Sequence, residues 1–179
     1  MKSREQRIAP LPESQWDDET RKTLESLRRD GQIYNIFSTL ANHPDLMKRW
    51  MVFANHVLAK STLPARDREI LILRAGWLCE ADYEWRHHKV IAGDVGVTPE
   101  EIIRIEQGPD ALGWDAFDRT LVRAVDELHT GNCVSTETWN ELAERYNTQQ
   151  LMDLVFAVGQ YHLVSMVLNS LGIQVEPGF

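Results

Sequence analysis

Cysteine is scarce in this sequence: there are two, Cys79 and Cys133, among 179 residues. They lie far apart and form no CxxC pair, so the sequence supports neither a redox dithiol nor a zinc knuckle. Two interpretations stay open for them, a distant disulfide or two ordinary thiols, and the second is favoured for a reducing compartment. We therefore expect a cytoplasmic protein.

Positive charge and long apolar runs are scarce as well. Lysine and arginine number 19 against 27 acidic residues, which gives a net charge of −8. Binding to phosphate backbones needs clustered lysine and arginine, so we expect no nucleic-acid partner. The longest apolar run, at residues 154–158, is far too short to span a bilayer, and the N-terminus lacks the apolar stretch of a signal peptide. We expect no membrane partner.

Strand-like alternation and hairpin turns are also missing. Apolar residues instead recur at helical spacing, which predicts an all-α protein. After an extended arm at residues 1–12, the pattern predicts helices over about 14–30, 34–41, 44–60, 65–79, 81–93, 114–130, 136–145 and 148–171, with one more after residue 98. The length suits a single domain over residues 1–179, with a core motif region at 44–125 and an N-terminal helical arm at 1–43.

Several residues mark predicted helix ends. Thr98, followed three residues later by Glu101, is typical of a capping box. Thr148 is the predicted N-cap of the last helix, and Gly31 and Gly172 are predicted to end theirs. The last helix is apolar on most sides, which predicts either a central helix or one that contacts another subunit.

The segment at 65–93 carries the candidate chemistry. Its first helix is apolar over most of its circumference and is therefore predicted to be buried, so Glu69 needs a partner or becomes neutral. On the next helix, Glu84 and His88 stand four residues apart and share a face. If that face is buried they form a proton-transfer pair, and if it is solvated they form a plain surface ion pair.

Two further residues of the same helix have alternative interpretations. The phenol of Tyr83 passes or donates a proton, or its ring fills the wall of the site. His87 lies about 100° round the helix from His88, so we expect it at the surface or an interface rather than in the same pocket. Glu69, Glu84 and His88 together also suit a divalent metal ion.

The stretch from residue 63 to 101 resembles the core of the carboxymuconolactone decarboxylase and alkylhydroperoxidase D superfamily. The resembling segments are LPARDREILILRAGWL and ADYEWRHHKVIAGDVGVTPEEI, with the family's R-x-x-E pattern at Arg66 and Glu69 and its G-V-T-x-E-E-I tail at 96–102. The resemblance implies an alkylhydroperoxidase D-like helical bundle with a core helical hairpin at about 65–93 and a long C-terminal helix. It also implies a homo-oligomer with the pocket near a subunit contact.

The two branches of this superfamily differ in their site residues. The peroxidase branch has a glutamate, a CxxC with a relay histidine inside it, and a final histidine. Counted from Glu69, the cysteine positions fall on Ala81 and Glu84, the relay position on Tyr83 and the final position on His88. Both cysteines are missing, so no residue can perform the resolving step of thiol-dependent peroxide reduction. The decarboxylase branch has Glu-x-x-x-His, which Glu84 and His88 match.

The resemblance therefore implies a lyase of the decarboxylase or isomerase type that transfers protons on a small organic acid or lactone. Glu84 and His88 are its implied catalytic pair, assisted by Glu69 and Tyr83, and it implies no cofactor and no required metal. Two alternatives stay open. One is an alkylhydroperoxidase-like antioxidant oxidoreductase without the CxxC, and the other is a non-catalytic oligomer that binds a small ligand.

Overall fold

The structure is a computed structural model that describes residues 4–29 and 31–177. Predictions that cover residues 1–3, 30 and 178–179 lie outside the described residues. The described part contains nine α-helices and no strand, which confirms the predicted all-α class. The helices are α1 (Asp18–Ser26), α2 (Asn35–Leu40), α3 (Pro44–Asn55), α4 (Ala65–Leu78), α5 (Asp82–Asp94), α6 (Pro99–Gln107), α7 (Ala116–Gly131), α8 (Thr136–Ala143) and α9 (Thr148–Leu171).

Helix α4 lies at the centre of the fold. It packs against α5, α6, α7 and α9. Its four successive residues Ile70, Leu71, Ile72 and Leu73 have no exposed surface, although they point in different directions round the helix. A helix that is apolar nearly all round is stable only when neighbours cover every side. The predicted buried helix at 65–79 is therefore the core helix.

Two arginines of α4 are paired with acidic residues of neighbouring helices. Arg66 donates hydrogen bonds to both carboxylate oxygens of Asp118 on α7, at 3.0 and 2.6 Å, and to Glu101 on α6, at 2.6 Å. Arg74 donates to Asp126 on α7, at 2.6 and 2.8 Å. A charge buried without a partner is costly, so these pairs determine how α6 and α7 dock on α4.

The N-cap of α9 lies one residue before the predicted one. Asn147, rather than Thr148, is the N-cap: its side chain accepts the backbone N–H of Gln150 at 3.0 Å, and the Gln150 side chain accepts the backbone N–H of Asn147 at 3.1 Å. The predicted capping box of Thr98 and Glu101 is confirmed. At its other end, α9 is closed by Gly172, as predicted, which follows Leu171 in the left-handed conformation with φ of 66°.

Gly31 does not end α1. That helix ends at Ser26, and the chain then forms a separate turn. In this turn Arg29 and Gln32 exchange both of their backbone hydrogen bonds, at 2.8 and 2.7 Å. Gly31 lies inside it with φ of 80°, which is why the position favours glycine. The helix predicted at 44–60 is likewise divided, since α3 passes at its end into a π-helical turn, His56–Lys60.

The helix α9 is 24 residues long and is the one helix of the described residues that is long and apolar enough to cross a bilayer. Its most apolar window has a mean hydropathy of 1.5, because the polar residues that interrupt it are mostly uncharged. Half of that stretch is buried in the fold, so length and composition alone do not distinguish it from a core helix. Packing on α4 explains its buried side, whereas its opposite side exposes Met152, Phe156, Leu163 and Met166.

Candidate active site

The site is built on the hairpin of α4 and α5. A short turn joins the two helices, with Glu80 in the left-handed conformation at φ of 51°. Gly76 allows α5 to lie close to α4, since a Cβ at this position would lie 3.4 Å from the Cγ of Glu84. The antiparallel arrangement places the beginning of α4, with Glu69, beside the middle of α5, with His88.

The imidazole of His88 lies between two carboxylates. Its Nδ1 is 2.6 Å from Oε2 of Glu69, and its Nε2 is 2.8 Å from Oε1 of Glu84. Glu69 has no exposed surface, while Glu84 keeps 4% and His88 keeps 7%. The structure therefore brings three of the four predicted site residues into one buried group, in which each ring nitrogen of His88 faces a carboxylate oxygen.

The two carboxylates decide the charge of this imidazole. Burial lowers the pKa of His88, but the charge of Glu84 and the hydrogen bonds to Glu69 and Glu84 raise it by more, to about 10. His88 is therefore an imidazolium at neutral pH, and both of its ring N–H groups donate. The carboxylates both orient the ring and keep a transferable proton on it.

Two neighbours of this group were not anticipated from the sequence. The guanidinium of Arg68 lies 3.4 Å from Oε1 of Glu69, so two cations balance the two carboxylates. Tyr161 of α9 places its ring edge-to-face with His88, with 5.0 Å between centroids. Burial raises the pKa of Tyr161 well above its ordinary value, and the charges of Glu84 and Glu69 raise it further, so its phenol stays protonated.

Tyr83 lies in a different group. Its hydroxyl donates to Oε1 of Glu176 at 2.6 Å, and Oε2 of Glu176 lies 2.7 Å from Nε2 of His87. The structure therefore joins the Tyr83 hydroxyl to the C-terminal segment, and not to Glu84 or His88. His87 lies outside the group of His88, as predicted, but it is not at the surface of the chain, because this segment covers its face of α5 and leaves it 5% exposed.

The surroundings of Glu176 explain how a carboxylate is held in this second group. Burial raises the pKa of Glu176, but the close side chain of His87 and the hydrogen bonds from Tyr83 and the backbone N–H of Asn35 lower it by more, so that it stays ionised. The group thereby links α2, α5 and the C-terminal segment. A small hollow beside Tyr83 is lined also by Arg4 and by residues of α9 and the C-terminal segment, and Glu84 and His88 are not among its lining residues.

Residues 44–127, which contain the whole α4–α5 hairpin, match the model of the carboxymuconolactone decarboxylase family. No curated protein matches the chain in sequence. The family model therefore covers the same part of the chain as the buried group of Glu69, Glu84 and His88.

Several solved structures have a similar fold over nearly the whole chain. An uncharacterized peroxidase-related protein from Silicibacter sp. TM1040 is 14% identical with a TM-score of 0.83, and the match covers 99% of this chain and 96% of that one. An alkylhydroperoxidase AhpD core protein from Ralstonia eutropha JMP134 is 17% identical with a TM-score of 0.82, over 94% and 91%. The debrominase Bmp8 in complex with 2,3,4-tribromopyrrole is 16% identical with a TM-score of 0.72, over 98% and 95%.

Proposed function

Because residues 44–127 match the carboxymuconolactone decarboxylase family and the fold is similar to that of alkylhydroperoxidase D-like proteins, we propose that the chain is a proton-transfer enzyme of the lyase type acting on a small organic acid or lactone. One observation carries this proposal: the His88 imidazole is buried between the carboxylates of Glu69 and Glu84, within hydrogen-bond distance of both. A general acid must hold its proton at working pH and present it in a fixed direction, and this arrangement provides both.

The three residues have different roles in the proposed reaction. Glu69 is the more deeply buried carboxylate and fixes Nδ1–H, so Nε2–H is the proton that His88 delivers. When the carbon–carbon bond to a substrate carboxylate breaks, CO₂ leaves and the bonding electron pair stays on the substrate carbon. The proton of Nε2–H forms the new carbon–hydrogen bond, and His88 regains a proton from water through Glu84.

Glu84 also controls access to that proton. Its Oε1 accepts Nε2–H at 2.8 Å, so a substrate atom reaches the proton only after this carboxylate has moved aside. Once displaced, the Glu84 side chain is free to act on the substrate. It can remove a proton from one substrate atom while His88 delivers one to another, as an isomerisation requires.

The test is turnover of carboxymuconolactone and other carboxylated lactones, followed by CO₂ release. We expect His88→Gln to lower kcat by about 100-fold or more, the usual contribution of general acid–base catalysis. His56→Gln is the matched control, because His56 also lies 2.9 Å from a carboxylate, that of Asp153, but at the surface. Full turnover by a folded His88→Gln protein, or no turnover of any lactone by the unaltered protein, would contradict the proposal.

The antioxidant alternative has a weaker basis in the site. The peroxidase-related structures support it by fold, but Cys79 and Cys133 are both free. Burial raises the pKa of the Cys79 thiol, which reduces the fraction of reactive thiolate. Peroxide consumption that disappears in Cys79→Ser would favour this alternative. Ligand binding without any turnover would favour the non-catalytic one. Whichever of these functions the protein has, we propose that it is located in the cytoplasm.

A further inference from the structure

Cys79, His129 and His162 form a cluster where three helices meet, which we call the Cys-His-His cluster. Cys79 follows the last residue of α4, His129 lies in the last turn of α7, and His162 belongs to α9. One ligand atom of each residue lies within 4.8 Å of the others. We propose that this cluster binds a divalent transition metal ion of the Zn²⁺ class.

The orientation of His162 is the first argument for this site. Its Nδ1 lies 2.8 Å from the backbone carbonyl of Val158. A carbonyl oxygen can only accept, so Nδ1 carries the proton and Nε2 keeps its lone pair, directed at the cluster. Metal-binding histidines have this arrangement, in which the second ring nitrogen donates to a carbonyl or carboxylate and thereby fixes the tautomer.

His129 completes a pair of imidazole ligands. Its Nδ1 lies 2.9 Å from Nε2 of His162, and since that Nε2 bears no proton, His129 donates. A metal ion replaces this shared proton: the proton of His129 moves to its own Nε2, and both facing nitrogens then offer lone pairs. Two nitrogens on a tetrahedral zinc ion stand about 3.3 Å apart, so the two rings need to separate by only about 0.4 Å.

The thiol of Cys79 provides the third ligand. The side-chain amide of Asn169 on α9 donates to the carbonyl oxygen of Cys79 at 2.8 Å, which holds the cysteine beside α9. On binding, the thiol loses its proton to water, so one divalent cation enters and one proton leaves. The site then has one thiolate and two imidazoles, which suit zinc-like ions and not magnesium or calcium.

The exposure of the cluster leaves room for a fourth ligand. Cys79 and His162 are half-buried, whereas His129 is exposed. Three protein ligands with one open position are typical of zinc sites that bind water or a substrate atom. The site is separate from the group of Glu69, Glu84 and His88, and it does not depend on the proposed proton-transfer reaction.

The proposal is tested by titrating the metal-free protein with Zn²⁺ in a calorimeter, and with Co²⁺ in a spectrophotometer. We expect one ion per chain, a thiolate-to-cobalt absorption band, and release of one proton. Cys79→Ser should abolish the band, and His162→Gln or His129→Gln should weaken affinity by about ten-fold or more. Cys133→Ser and His56→Gln remove the same side-chain types elsewhere. They should change neither the absorption band nor the affinity for the metal ion.

The opposite outcomes would overturn the site. These are the absence of stoichiometric binding, or a binding constant that is the same in the unaltered protein and in Cys79→Ser and His129→Gln. Because His129 is exposed, its variant is expected to fold, so it decides the question even if Cys79→Ser does not fold. Metal binding is read directly, so its failure is distinguishable from a failure to find a lactone substrate.

Discussion

The imidazole of His88 exchanges hydrogen bonds with water for hydrogen bonds with two carboxylates, and this exchange decides its charge. Burial by itself would remove the proton, since a buried cation loses hydration. Glu84 and Glu69 reverse that effect, and the pKa of His88 rises to about 10. The surface pair of His56 and Asp153 has the same two groups at 2.9 Å, but His56 remains about half exposed. The surroundings of His88 therefore differ from those of His56 mainly in being buried and in providing a second carboxylate.

The raised pKa of His88 predicts how stability changes with pH. The folded state binds this proton more tightly than the unfolded state, whose pKa is near 6.5. The resulting stabilisation is fully present below about pH 6.5 and is lost as the pH rises towards about 10. We expect the free energy of urea unfolding to fall over this window, and to fall less in His88→Gln. His56→Gln is the control and should show the same fall as the unaltered protein. An equal fall in His88→Gln would contradict the assignment of the proton to His88.

Sequence spacing identified the central residues of the site but not the residues that surround them. The i, i+4 relation predicted that Glu84 and His88 share a face, and a carboxylate on an apolar helix predicted a partner for Glu69. Tyr83 was placed by counting along a motif, and the fold gives its hydroxyl to Glu176, 93 residues away. No local pattern announces such a partner. Tyr161 was visible only as a polar residue within an apolar helix.

The helices themselves were predictable where local chemistry decides their ends, as the start of α9 illustrates. Asn147 and Thr148 are both good cap residues, so residue type alone does not choose between them. Gln150 does, because a capping box needs a glutamine or glutamate three residues after the cap. That signal was in the sequence. No such signal predicted the π-helical turn after α3, because tertiary packing there outweighs the helical spacing of the apolar residues.

This choice of cap predicts the effect of two neighbouring substitutions. Asn147→Ala removes the side-chain oxygen that accepts the Gln150 N–H at 3.0 Å. We expect it to lower the free energy of unfolding by about 1 kcal/mol. Thr148→Ala lies one residue away and removes no cap, so its effect should be much smaller. Urea denaturation of the two variants gives the comparison, and equal losses would show that Asn147 is not the cap.

The exposed side of α9 carries a regular row of apolar residues. Met152, Phe156, Gly159, Leu163 and Met166 follow one another at intervals of four, three, four and three residues, the spacing of a helix seam. The four side chains are each about half exposed, from 48% to 63%, and nothing lies within 4 Å of a Cβ placed at Gly159. The order of residue types is nearly the same in both directions. An antiparallel copy would therefore set methionine on methionine and phenylalanine on leucine.

We propose that α9 forms the contact of a homo-oligomer, in which a second copy of the chain packs on this seam. A two-fold axis at Gly159 would make the surface complementary to itself. Light scattering should give a mass at least twice the 20.6 kDa of one chain. Phe156→Glu or Leu163→Glu should reduce it by placing a charge in an apolar contact.

Val52→Glu is the control for this contact, since Val52 is 74% exposed on α3 and lies outside the seam. It should leave the mass unchanged. A monomeric unaltered protein, or glutamate variants of the seam that keep the oligomer, would show that the exposed side of α9 is not the contact. If α9 does form the contact, the same helix links the assembly to the candidate active site, because its opposite side carries Tyr161 against His88. Turnover should then fall together with the mass in Phe156→Glu.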